Sequence, residues 1–356
     1  MNRTQNITQL DNDTLAMLQD RSASQALSVV YIIIILINVP GNGISLWLLW
    51  FRTHPKSPSI IFMINLTLTD LAVGLALPLQ IIYQLRGYDW PYGSGLCSFM
   101  TVLFYANMYC SILTMMAISV DRYLGIVRPM QFRELKRRRE CAVLGCVVMW
   151  GIVLAALSPL QSTDLTYRVR ELNITTCFDV LKKDMLPTVS HWAVFIFTLS
   201  GVLFLVPFIT TVVCYVSIIH KLVRTSRSNQ KARALRLAFC VLSVFVVCFT
   251  PNNVLLLAHA VRRLFYGDSL YMAYKLSLSL SCVNSCLDPF IYYFASKEFR
   301  RKLRSVLGLA ALSSADWTRT EPNRESHFSG HSANQGLAGA EELQEPLGPN
   351  RSEGPG

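Results

Sequence analysis

The chain has 356 residues, a formal net charge of +11, 52% hydrophobic residues and only 15% charged ones. Soluble domains carry about 25% charged residues. The deficit is concentrated in long apolar runs between residues 28 and 294, which excludes an ordinary water-soluble fold and points to a bilayer.

Residues 1–27 are polar and hold the sequons at Asn2, Asn6 and Asn12. They lack a basic start followed by an apolar core, so no cleaved signal peptide is expected and the first apolar run would act as its own insertion signal. Seven apolar runs follow, at 28–51, 59–85, 96–127, 141–160, 190–220, 235–261 and 270–294. A helix crossing about 30 Å of hydrocarbon needs roughly 20 such residues. Backbone groups in lipid must be satisfied internally, and the stretch from Tyr31 to Ile37 lacks the alternation of a barrel strand, so helices are predicted. No internal repeat suggests a transporter. Residues 295–307 read as a short amphipathic helix. Residues 308–356, rich in Ser, Gly, Pro and Glu, read as a disordered tail with candidate phosphorylation serines. The fold class is thus an all-α membrane protein: a seven-transmembrane helix bundle over 28–294 with an amphipathic eighth helix.

The segments after spans one, three, five and seven, with Arg236 at the inner start of span six, carry 19 Lys and Arg, against ten on the other side when Lys275 near the outer start of span seven is included. Positive charge marks the cytoplasmic face, which places the N-terminal tail outside and the C-terminal tail inside a plasma-membrane protein. The net charge is therefore a topology signal, and no nucleic-acid partner is expected. The sequon at Asn173 also falls outside. Of ten cysteines, Cys97 and Cys177 are the two in outer segments, where oxidising conditions favour their pairing. The other eight read as small hydrophobes, and no metal-ligand spacing appears.

Charges inside spans are costly and informative. Asp70 sits in span two, Asp288 precedes Pro289 in span seven, and Asp121 and Arg122 close span three. Asn42 and Asn65 read as interhelical hydrogen bonds, worth about 0.6–2 kcal/mol each; the two span aspartates need a cation or a proton. Pro78, Pro159, Pro207, Pro251 and Pro289 are expected to kink their spans.

Gly41-Asn42, Asn65 to Asp70, Asp121-Arg122-Tyr123, Trp150, Pro207 with Tyr215, Phe245 to Pro251 and Asn284 to Tyr292 occur in order, one set per span. This pattern resembles the rhodopsin-like G-protein-coupled receptors. The resemblance implies a receptor, not an enzyme, with a heterotrimeric G protein, arrestin and receptor kinases as partners. It implies that Asp121 holds Arg122 at rest, that Tyr123 completes this G-protein-coupling motif, and that Tyr215 and Tyr292 turn inward to support Arg122. It implies an activation relay of Ile112, Pro207 and Phe245, with Phe249 and Pro251 above, and a sodium pocket of Asp70, Ser111, Asn284 and Asp288. No cofactor beyond that allosteric sodium ion is expected. Lys231 stands where some members carry an acid, so half of an ionic lock is missing.

Phe104 to Leu113, Ser158-Pro159-Leu160 and Ile174 to Leu181 are similar to the purinoceptor branch, and proteinase-activated receptors share part of the last stretch. Nucleotide binding would need convergent cations, but span six offers Asn253 and Leu256; nucleotide agonism and proteolytic activation stand as alternatives. Thr101, Phe104, Tyr105 and Met108 share one helical face. With Tyr83, Asn253, His259, Tyr271, Tyr274 and Lys275 they form the candidate ligand site, an aromatic well under a basic rim. Such a site suits an extracellular anionic amphiphile. The resemblance implies a lipid-conjugated glutathione and a Rho-activating G protein.

Overall fold

The computed structural model describes residues 12–54, 56–128, 139–179, 188–224, 228–262 and 270–306. Asn2, Asn6 and the tail beyond 306 lie outside them, as do the side chains of Asn12, Lys231 and Tyr271.

A short helix, α1 (Asn12–Gln19), precedes the first span and buries Met17 and Leu18. Span one is α2 (Arg21–Trp47), continued by a wider π-helical turn at Leu48–Arg52. It begins before its apolar run because Asp20 caps it: its carboxylate accepts from the Ser22 and Ala23 amides at 2.9 and 3.1 Å. Spans two and three are α3 (Pro58–Leu85) and α4 (Gly93–Val127). Span four is α5 (Arg139–Ala156). Contrary to expectation, Pro159 does not kink it but opens a separate five-residue helix, α6 (Ser158–Ser162), where a missing N–H costs nothing. An antiparallel hairpin follows, β1 (Thr166–Val169) with β2 (Ile174–Cys177), Thr166 opposite Cys177.

Span five runs through α7 (Val189–Ile196), a π segment Phe197–Leu205 and α8 (Val206–Arg224). Span six runs through α9 (Ser228–Val244), a π turn Phe245–Phe249 and α10 (Thr250–Val261). Each π stretch ends just before a proline, Pro207 or Pro251, whose ring cannot fit against the carbonyl four residues back. Pro40 lies inside α2, a span proline that the sequence reading did not single out. Among the described residues six helices are long and apolar enough to cross a membrane. The seventh span falls short of that length because it breaks at Val283 into α11 (Tyr271–Cys282) and α12 (Asn284–Ala295). The last described helix, α13 (Lys297–Val306), buries Phe299 and exposes Arg301 and Arg304.

Polar side chains tie the bundle together at mid-depth. Asn65 accepts from Trp150 of span four at 2.9 Å and donates to Thr114 of span three at 3.1 Å. Asn38 donates to the Asp70 carbonyl at 2.8 Å. It needs Gly74 beside it, since a Cβ there would sit 2.7 Å from its amide nitrogen. Leu36, Leu75, Phe197 and Phe239 stay exposed around the bundle, as a lipid-facing surface requires.

Candidate functional site

One end of the bundle is closed by the disulfide between Cys97 of α4 and Cys177 of β2. The next residue, Phe178, has a left-handed backbone, φ 60°, which is rare for an aromatic side chain. This turn directs Asp179 into the bundle, where it is buried. The Tyr83 hydroxyl donates to the Asp179 carboxylate, and the Lys275 ammonium pairs with it. The Cys177 amide donates to the same Tyr83 oxygen at 3.1 Å. The Tyr88 and Tyr83 rings flank the ammonium, with centroids 4.8 and 5.6 Å from Nζ, so part of its hydration is replaced by cation–π contact. Burial first, and the charge of Asp179 second, push the Tyr88 phenol above its ordinary range.

Two small cavities lie beside this clasp. One, of ≈ 50 Å³, is walled by Tyr31, Gln80, Thr101, Phe104, Asp179 and Lys275, among others. The second, of ≈ 30 Å³, is walled by Trp192, Phe195, Ile196, Leu199, Leu256 and His259, among others. Tyr105, Phe178 and Tyr274 line both. Tyr105 and Phe178 meet edge to face at 5.9 Å, and Tyr274 stacks on His259 at 5.6 Å. The first cavity carries charge and amide groups; the second is almost wholly apolar. Among the described residues, the Tyr105 hydroxyl and the Trp192 Nε1 are buried without a hydrogen-bond partner. An unmet buried donor costs about 1–3 kcal/mol, so both can be relieved by an acceptor on a ligand.

Deeper in the bundle, Asp70, Ser111, Asn284 and Asp288 are all fully buried. Asn107 and Ser285 donate to one Asp70 oxygen at 3.0 and 2.8 Å. Among the described residues, the other Asp70 oxygen, both Asp288 oxygens and the Ser111 hydroxyl have no hydrogen-bond partner. Asp70 and Asp288 lie close enough to interact directly. Two buried carboxylates without an opposing side-chain charge require a proton or a cation. This hard-oxygen donor set fits a small monovalent or divalent cation; Ser285 and Asn107 orient it.

An aromatic ladder crosses spans five and six. Phe204 stacks on Phe208 at 6.0 Å, Phe208 meets Phe245 at 5.5 Å, and Phe245 meets Phe249 edge to face at 5.7 Å. Ile112 and Pro207 are buried beside it. Pro251 follows the ladder by two residues at the start of α10.

At the opposite end, Asp121 does not hold Arg122 as expected. Among the described residues its partner is the Ser59 hydroxyl of span two, and the Arg122 Nε is buried without a partner. Tyr215 lies beside Ser119 and Arg122. Tyr292 is engaged elsewhere: its ring meets Phe299 of α13 at 6.0 Å and its hydroxyl lies beside Thr67. Tyr123 is half-buried.

Residues 41–292 match the family model of the seven-transmembrane receptors of the rhodopsin family. The chain belongs to that family. This rhodopsin-family receptor is 53% identical over 329 residues to purinoceptor 8 of Gallus gallus, covering 91% of each chain. It is 54% identical over 306 residues to the S-geranylgeranyl-glutathione receptor of Homo sapiens, covering 85% of each. The proteinase-activated receptor 2 of Rattus norvegicus is 40% identical over 304 residues, 84% of this chain and 75% of that one.

Within the receptor, the candidate ligand residues divide by depth. Thr101, Phe104, Tyr105, His259, Tyr274 and Lys275 line the cavities. Met108 and Asn253 do not. Met108 lies under them, with the Asn252 amide 3.2 Å from its sulfur. Asn253 accepts from the Tyr109 hydroxyl at 3.2 Å and donates to the Phe249 carbonyl at 3.0 Å, joining spans three and six. Tyr83 lines neither cavity; it holds Asp179. Lys275 is not a rim cation in water but a buried partner of Asp179. Asp179, Trp192 and Phe178 were missed because an acid and two aromatics near a loop carry no periodic signal. Asn173 is exposed at the hairpin turn, where a glycan would find room.

Proposed function

We propose that the receptor detects an extracellular amphiphile with an acidic head and an isoprenoid-like tail, and activates a heterotrimeric G protein of the Rho-activating class. The observation that carries this reading is the pair of cavities sharing Tyr105, Phe178 and Tyr274, one holding Lys275 and the other apolar. The name of the human relative, a receptor for S-geranylgeranyl-glutathione, supports the same chemistry: two carboxylates joined through a thioether to a prenyl chain. A nucleotide polyphosphate is disfavoured, because the one cation lining the described cavities already faces Asp179.

In this reading the disulfide end is extracellular and the Arg122 end cytoplasmic, consistent with the basic bias of the latter. Ligand entry parts the walls at Tyr105 and Trp192, and the motion reaches Phe249 and Phe245. Span six then swings about Pro251, and Arg122 becomes available to the G protein. A ligand drives this only by its different affinity for the two arrangements. A sodium ion between Asp70 and Asp288 would favour the closed one. Receptor kinases and arrestin would act on the active one.

The test is G-protein dissociation in cells lacking individual G-protein families. S-geranylgeranyl-glutathione should activate only where the Rho-directed family is present, and adenine or uracil nucleotides should not. Activation by a nucleotide, with none by the prenylated tripeptide, would overturn the reading.

A further inference from the structure

The ion pair between Lys275 and Asp179 is built like an occupied ligand site. Both side chains are buried, at 5% and 2% exposure, yet both line the larger cavity and so face its open volume. The ammonium is held between the Tyr88 and Tyr83 rings, and these belong to the framework of α3 and the turn after it. The carboxylate is different: it arrives on the loop, after a left-handed turn at Phe178. The cation and its aromatic cage are thus set by the helix ends and the turn after α3, while the anion is delivered from the loop, two residues beyond the disulfide.

We infer that Lys275, Tyr83 and Tyr88 form a carboxylate subsite, and that Asp179 occupies it as a stand-in for a carboxylate of the ligand. This rests on the reading of the ligand as an acid-bearing amphiphile. A ligand carboxylate entering from the cavity takes the ammonium and the Tyr83 hydroxyl, and Asp179 moves out toward water. The exchange conserves buried charge, so the desolvation cost of a lone ammonium is never met. Selectivity follows as well. A neutral amphiphile that displaces Asp179 gives Lys275 no carboxylate in return, whereas an acid does.

The test uses the purified full-length receptor and acetate, the smallest alkyl carboxylate. Thermal stability is measured in sodium acetate against sodium chloride at equal ionic strength for wild type, Asp179→Ala and Asp179→Ala/Lys275→Gln. Acetate should raise the melting midpoint of Asp179→Ala saturably, as a bound ligand does. It should leave the wild type and the double variant unmoved. A flat response in Asp179→Ala, or an equal rise in the double variant, would mean that the pair is only a structural clasp. Should Asp179→Ala fail to fold, the near-isosteric Asp179→Asn is assayed in cells with S-geranylgeranyl-glutathione and its dimethyl ester. A several-fold gain in potency for the acid alone is expected, and equal shifts for both compounds would overturn the inference. The acetate measurement needs no agonist. Silence of the wild type toward S-geranylgeranyl-glutathione would therefore count against the proposed function and leave the subsite to be decided by acetate.

Discussion

The side-chain amide of Asn42 donates a 2.8 Å hydrogen bond to the backbone carbonyl of Ser285. That carbonyl lies four residues before Pro289, which has no N–H to offer it. Asn42 therefore completes a helix that its own sequence leaves incomplete, and it binds span one to span seven in doing so. Gly41 lies beside the Pro289 ring, where a Cβ would sit at ordinary van der Waals contact, 3.4 Å.

Replacing Asn42 by Ala should cost about 1–3 kcal/mol, the penalty of a buried unmet acceptor. Pro289→Ala would restore the missing N–H. The cost of Asn42→Ala should therefore shrink in the Pro289→Ala background, a coupling that a double-mutant cycle on melting midpoints would read. Equal costs in both backgrounds would show that the amide is not serving that carbonyl.

The unpartnered oxygens of Asp70 and Asp288 lead to a salt-specific prediction. Sodium chloride should stabilise the receptor more than choline chloride at the same ionic strength. Asp70→Asn should remove the difference while the protein still folds, since the amide oxygen can still accept from Asn107 and Ser285 and one of the two facing negative charges is gone. An undiminished sodium effect in Asp70→Asn would place the cation elsewhere.

Because Ser59, not Arg122, is the partner of Asp121, substitutions at Ser59 and at Arg122 should both reduce signalling, by different routes. Arg122→Ala should abolish G-protein activation with surface expression intact. Ser59→Ala frees Asp121 to turn to Arg122 and should lower agonist-independent signalling. Unchanged basal signalling in Ser59→Ala, at equal surface density, would remove Ser59 from the switch.

Loss of the Cys97–Cys177 bond releases the segment that carries Phe178 and Asp179. Cys177→Ser should destabilise the receptor by about 2–5 kcal/mol and weaken the agonist response more than the G-protein interface. A thermal shift assay and a dose–response curve on surface-normalised cells separate the two effects.

The spans, the disulfide and the aspartates were legible in the sequence because each depends on composition and compartment. A charge in an apolar run stands out with no knowledge of its neighbours. The role of Asn42 was not legible beyond a generic interhelical bond, since its acceptor is a main-chain atom on a helix 243 residues away in sequence. Helical spacing put Thr101, Tyr105 and Met108 on one face, and they are; it could not say that Met108 lies below the cavities beside Asn252. Asp179 stood in the sequence only as part of the stretch Ile174 to Leu181, with nothing to mark it as buried; the left-handed turn at Phe178 carries it inward. The expected pairing of Asp121 with Arg122 failed for a similar reason: adjacent residues on a helix point in different directions, and Ser59 was nearer to hand.

Tyr105 and Phe178 are a party wall between the two cavities. Enlarging one chamber by turning either ring must reshape the other. In a series of synthetic compounds, lengthening the hydrocarbon and altering the peptide end should therefore not contribute independently to potency; the preferred chain length should change with the headgroup.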